Sequence, residues 1–148
     1  MTAAEIADYL AICEVKARYC RCLDTKDWAG YADVFTEDLE LDTRPSGGAL
    51  THGREESLRL IRSSIETAIT AHQVHSPEIK LNGDTADVIW AMQDRVIWSA
   101  DRQAQMGVLG LTGYGHYHEH YVRQDGGWKI ARQTLTRLHM DVQRVPAA

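Results

Sequence analysis

The chain has 148 residues, of which 44% are hydrophobic and 25% charged, and it carries a net charge of -5. That length suits one hydrophobic core, and the composition argues against both disorder and a membrane span. An acidic balance with no run of Lys or Arg excludes a phosphate-binding face, so nucleic acid is not an expected partner, and a small organic ligand suits the chain better.

Thr2 and Glu5 have the spacing of a capping box, and Ile6, Leu10, Cys13, Ala17 and Cys20 then recur at helical intervals. They predict a first helix from about residue 3 to about 22. Three cysteines, Cys13, Cys20 and Cys22, fall in this stretch. Their odd number and the absence of a leader-like pattern after Met1 point to a reducing, cytoplasmic setting. Cys20-x-Cys22 lacks the two-residue gap of metal and redox pairs and reads as helical thiols. Trp28, Tyr31, Ala32 and Phe35 predict a second, shorter helix, and Leu39 and Leu41, alternating with Glu40 and Asp42, a brief strand. Thr43 to Gly48 carries loop residues, and Leu58, Ile61 and Ile65 form one stripe of a third helix from about Arg54.

From residue 72 the period falls to two, predicting strands at about 72 to 81, 85 to 99, 106 to 124 and 127 to 141. Asn82-Gly83-Asp84 and Asp125-Gly126-Gly127 read as hairpin turns between them. Helices followed by a four-stranded antiparallel meander make an α+β architecture, with three helices packed on one face of a long curved sheet in a single domain. Gly107, Gly110, Gly113 and Gly115 offer places for bulges.

These elements resemble the SnoaL-like branch of the nuclear transport factor 2-like superfamily over residues 5 to about 140. The marks are Ile12-x-x-x-Lys16-Ala-Arg-Tyr19 leading to Asp24-x-x-Asp27-Trp28, then Phe35-x-x-Asp38, Val74-His75-Ser-Pro77 and Gly126-Gly-Trp128-Lys-Ile130. The resemblance implies a cone of helices and strongly curved, mostly antiparallel sheet around one deep pocket. Within the superfamily the likeness is to the scytalone dehydratase, bile acid 7α-dehydratase and lindane dehydrochlorinase group. It implies that Asp24 pairs with His75 on the first long strand, that Tyr19 is a catalytic tyrosine, and that Asp94 and Arg137 are further pocket residues. Trp98 stands near the position of the scytalone enzyme's second strand histidine, where this chain departs from that enzyme. The likeness further implies a homo-oligomer, a trimer before a dimer, and chemistry that needs neither metal nor cofactor.

A carboxylate that orients an imidazole makes a proton-transfer device near neutral pH. His75 is then the base, Asp24 its orienting partner, and Tyr19 a donor to a developing enolate oxygen or a departing hydroxyl. The bland readings are a solvated acid, an incidental strand histidine and a core tyrosine. Five residues of straight helix leave Tyr19 about 140° from Asp24, so the helix is expected to end or bend between them. Asp94 shares a strand face with Val88, Trp90, Met92, Val96 and Trp98, where a charge needs a partner such as Arg137 or His75. An outward-turned Asp94 and a surface Arg137 are the alternatives.

His116, His118 and His120 alternate along one strand and span about 13 Å, too far for one metal ion unless the strand bends. Tyr117, Glu119 and Tyr121 form the other face, and alternation alone leaves open which set lines the pocket. His72, three residues from His75, falls on the opposite strand face if pairing is regular. Three functions compete: a cofactor-independent lyase or isomerase acting on a hydrophobic cyclic substrate, a small-molecule binding protein without chemistry, and a module like the small subunit of an aromatic-ring oxygenase.

Overall fold

The computed structural model describes residues 1 to 146. Thr2 caps the first helix with the reciprocal bonds of a capping box, and this helix, α1, spans Ala3–Thr25. It stops where Lys26 turns left-handed at φ 61° and its N–H closes on the carbonyls of Cys22 and Leu23. The buried stripe of α1 is Ile12, Val15, Lys16, Tyr19, Cys22 and Leu23, whereas Ile6 and Leu10 are 45% and 57% exposed. Both stripes have helical spacing. The one that packs inward includes a lysine, so hydropathy selects its neighbour. Asp27 then caps the short helix α2, Trp28–Asp33, through Gly30 N–H.

Next come β1, Phe35–Asp42, a 3₁₀ turn at Arg44–Ser46, β2, Leu50–His52, and helix α3, Arg54–Ile65. The sheet proper holds β3, Ile69–Val74; β4, Glu78–Asn82; β5, Thr85–Ile97; β6, Val108–Gln124; and β7, Gly127–Arg144. A further helix, α4, Ala100–Met106, fills the connection from β5 to β6. Strand order is β2-β1-β7-β6-β5-β3, with β4 also paired to β5. Pairing is antiparallel except for β1 alongside β7, which is parallel, so the anticipated meander gains a first strand returned by a long crossover.

The single strand expected over 72 to 81 is two strands on the same edge of β5. Val74 faces Met92 and Glu78 faces Ile89, so four steps on one side match three on the other. The extra residue sits at His75-Ser76-Pro77, where a proline cannot donate to the ladder. At the β6–β7 turn, Asp125 and Gly126 both take positive φ, 54° and 77°, the geometry a two-residue hairpin demands. The core lies between α1, α2 and the concave sheet face, where Ile12, Leu39, Val88, Tyr121 and Ile130 are at most 1% exposed.

Candidate functional site

A cavity of about 380 Å³ opens between the helices and the concave sheet face, within the range of small-molecule sites. Leu23, Leu41, Leu60, Ile61, Ile65 and Leu135 give it apolar walls, and Tyr19, Tyr31, His72, Asp94, Tyr117 and Gln133 give it polar groups.

The imidazole that meets Asp24 is His72 and not His75. His72 Nδ1 lies 2.6 Å from Asp24 Oδ1, and the His72 backbone N–H donates to Oδ2 at 2.8 Å. The Thr70 hydroxyl donates to Oδ1 at 2.9 Å. Alternation decides the choice: Thr70, His72 and Val74 face inward along β3 while Ile69, Ala71 and Gln73 are exposed. His75 follows on the outward phase, exposed, with its backbone N–H bonded to Ala91. Burial opposes ionisation of Asp24, but the ring and backbone bonds from His72, with Thr70, outweigh it and hold the carboxyl below its ordinary value. With Nδ1 committed to Asp24, Nε2 has no protein partner among the described residues and is the nitrogen left for a ligand.

Asp24 stands behind this histidine and does not line the cavity. That removes the need for a helix break: α1 runs unbroken to Thr25, presents Tyr19 to the cavity and Asp24 to β3, and the two turn away from each other as helical geometry requires.

Three phenols line one region. Tyr19, Tyr31 and Tyr117 are 3%, 0% and 4% exposed, and burial, reinforced by neighbouring phenol or carboxylate groups, raises each well above the usual tyrosine range. They therefore act as neutral hydrogen-bond donors. The Tyr19 hydroxyl donates to Gln133 Oε1 at 3.2 Å, and the Gln133 amide donates to Glu119. Beneath them lies a fully buried ion pair between Lys16 and Glu119, both side chains 0% exposed. The Lys16 ammonium sits 3.6 Å from the Tyr19 ring centroid and 3.7 Å from that of Tyr117, clamping both rings. The sequence reading missed Lys16. Its only signal was its place one turn before Tyr19.

Asp94 faces inward and is 4% exposed. Arg137 donates to both its oxygens, at 2.6 and 2.9 Å, so the guanidinium is held behind the carboxylate and does not itself line the cavity. It reaches across β6 because Gly113 lies directly opposite Asp94, and a Cβ at Gly113 would collide with both side chains. Trp98 lies past the end of β5, outside the cavity lining, with its carbonyl bonded to Gln103 of α4. Tyr117, Glu119 and Tyr121 are the buried face of β6. His118 and His120 therefore point outward, to Thr136 and Asp87, and no group of three metal-ligating side chains occurs among the described residues. No helix of the described residues is long and apolar enough to cross a membrane.

The comparisons with known proteins agree on the fold. An uncharacterised protein of Mycobacterium tuberculosis is 28% identical over 139 residues, covering 93% of this chain and 90% of its own. A candidate scytalone dehydratase of Novosphingobium aromaticivorans superposes with a TM-score of 0.84 at 23% identity, over 100% of this chain and 95% of its own. A hexachlorocyclohexane dehydrochlorinase of type 2 gives a TM-score of 0.80 at 16% identity, over 97% and 94%. Helices packed on a curved, unclosed sheet are thus the fold shared with dehydratase-like and dehydrochlorinase proteins. With the SnoaL-like domain profile matching residues 4 to 134, the chain belongs to the SnoaL-like family.

Proposed function

We propose that the protein is a dehydratase-like lyase, or an isomerase, that moves a proton on a hydrophobic cyclic substrate with the His72–Asp24 pair. The observation that carries the reading is an imidazole fixed through Nδ1 by a helix carboxylate, with Nε2 left for a ligand at the wall of an apolar cavity. His72 Nε2 takes the proton beside a substrate carbonyl, and Asp24 stabilises the resulting imidazolium without leaving its place. A neutral phenol, Tyr117, hydrogen-bonds the oxygen on which charge develops. The hydroxyl on the adjacent carbon departs with a proton returned by the imidazolium, which balances the reaction as loss of water. Side chains of this kind carry such acid/base chemistry by themselves.

The test is a screen of hydroxylated steroids and polyketide-like aromatics for loss of water, followed by His72→Ala and His75→Ala proteins shown to be folded. Turnover falls by about 100-fold or more in the first and stays within about two-fold in the second. A folded His72→Ala protein with full turnover would sink the mechanism.

A further inference from the structure

Tyr31 is fully buried, yet its hydroxyl has no hydrogen-bond partner among the described residues. Buried hydroxyls are ordinarily satisfied, and those that are not mark places where something else supplies the bond. This one lines the cavity. Its ring is held edge-on by Tyr19 and Phe35, both at 5.0 Å between centroids, and by Trp28 at 6.2 Å. The backbone beneath is equally fixed, since Tyr31 N–H closes on the Asp27 carbonyl at 2.9 Å and Asp27 caps the helix. The phenol cannot swing away to find a partner. The Tyr19 hydroxyl, which donates to Gln133, is near enough to influence the Tyr31 phenol but closes no well-formed bond with it, and the Asp94 carboxylate is engaged by Arg137.

We infer that Tyr31 is a specificity-determining residue, its hydroxyl donating a hydrogen bond to an acceptor oxygen on an uncharged cyclic ligand in the cavity. The inference rests on that cavity being the ligand site of the proposed reaction and adds a requirement to it. The substrate carries a carbonyl or ether-type oxygen placed to meet the floor of α2, separate from the carbon whose proton goes to His72. Burial keeps the phenol protonated, so the donor is present throughout the working pH range. An immobile donor rewards the oxygenated ligand and leaves a hydrocarbon of the same shape with nothing to satisfy it.

The probes are 1-tetralone and tetralin, bicyclic molecules that differ by one carbonyl oxygen, titrated into wild-type and Tyr31→Phe proteins by calorimetry. Wild type prefers the ketone, relative to the hydrocarbon, by roughly three- to ten-fold more than Tyr31→Phe does. The melting temperature of Tyr31→Phe stays close to wild type, because no well-formed protein hydrogen bond is lost. A crystal of wild-type protein soaked with 1-tetralone places the carbonyl oxygen within hydrogen-bond distance of the Tyr31 hydroxyl. An unchanged ketone preference in Tyr31→Phe, a clear fall in its melting temperature, or failure of wild type to bind either probe at millimolar concentration would each overturn the inference. His72→Ala separates it from the reaction proposed above: that protein keeps the ketone preference even if turnover is unaffected and the lyase reading fails.

Discussion

Replacing Lys16 with methionine is the sharpest test of how this site is held. The ammonium loses its ion pair with Glu119 and its contacts over the Tyr19 and Tyr117 rings, while methionine fills most of the same volume. Breaking one side of a fully buried pair typically costs about 3 to 5 kcal/mol, because the remaining charge is left uncompensated. Glu119 still accepts from the Tyr121 hydroxyl at 2.6 Å and from Gln133, which places the loss near 3 kcal/mol on that scale. For a chain of this size that corresponds to a melting temperature lower by about 6 to 12 °C. The double variant Lys16→Met, Glu119→Gln removes the stranded charge and recovers about 1 to 3 kcal/mol of the loss. Thermal and urea unfolding of the wild type, both single variants and the double variant close the cycle. A Lys16→Met loss under about 1 kcal/mol, or a double variant that simply sums the singles, would refute the claim that the pair is coupled.

Two further perturbations test neighbouring contacts. Because the Asp24 carboxyl is held below its ordinary value of 3.8, its stabilising effect is fully present above the unfolded-state pKa and disappears as pH falls through the folded one. Asp24→Asn is therefore less stable than wild type by about 2 kcal/mol at pH 7; unfolding curves taken downward from pH 6 show the gap closing in the acid range, and a constant gap contradicts the assignment. Gly113→Ala pushes a methyl group into Arg137 and Asp94, costing about 1 to 3 kcal/mol as overpacking usually does. A Gly113→Ala protein as stable as wild type, with the ion pair intact in its crystal structure, would show that β6 has slack there.

What could be read from the sequence followed periodicity and turn chemistry. Asp125-Gly126 announced its hairpin because the turn needs positive φ at both positions, and the stripe of α3 and the inward face of β5 followed from spacing alone. Alternation also placed Asp94 among apolar neighbours and so demanded a partner, which Arg137 supplies. The two errors have different causes. On α1 the buried stripe contains Lys16, a residue that apolar matching rejects, and matching settles on Ile6 and Leu10 in consequence. On the β3 side His75 comes from the resemblance carried by Val74-His75-Ser-Pro77, whereas His72, three residues earlier, holds the inward phase and meets Asp24. A bulge is invisible to a count of alternating residues until the partner strand is known.

The site's charges explain why its chemistry was harder to read than its fold. Lys16 and Glu119 lie 103 residues apart, Asp24 and His72 48, Asp94 and Arg137 43. Each pair joins two different elements, α1 to β6, α1 to β3 and β5 to β7, so no local pattern contains both halves. Burial makes the pairing obligatory, since a lone charge on that face would cost several kcal/mol. The pairing also decides what the cavity offers. Arg137 spends both terminal nitrogens on Asp94, its Nε being buried, and Lys16 is sealed beneath two aromatic rings, so neither cation lines the cavity. Neutral phenols, one imidazole nitrogen, the Gln133 amide and the paired Asp94 carboxylate line it instead. On the proposed function, a site built this way suits an uncharged molecule better than an anion, because its cations are paired before a ligand arrives.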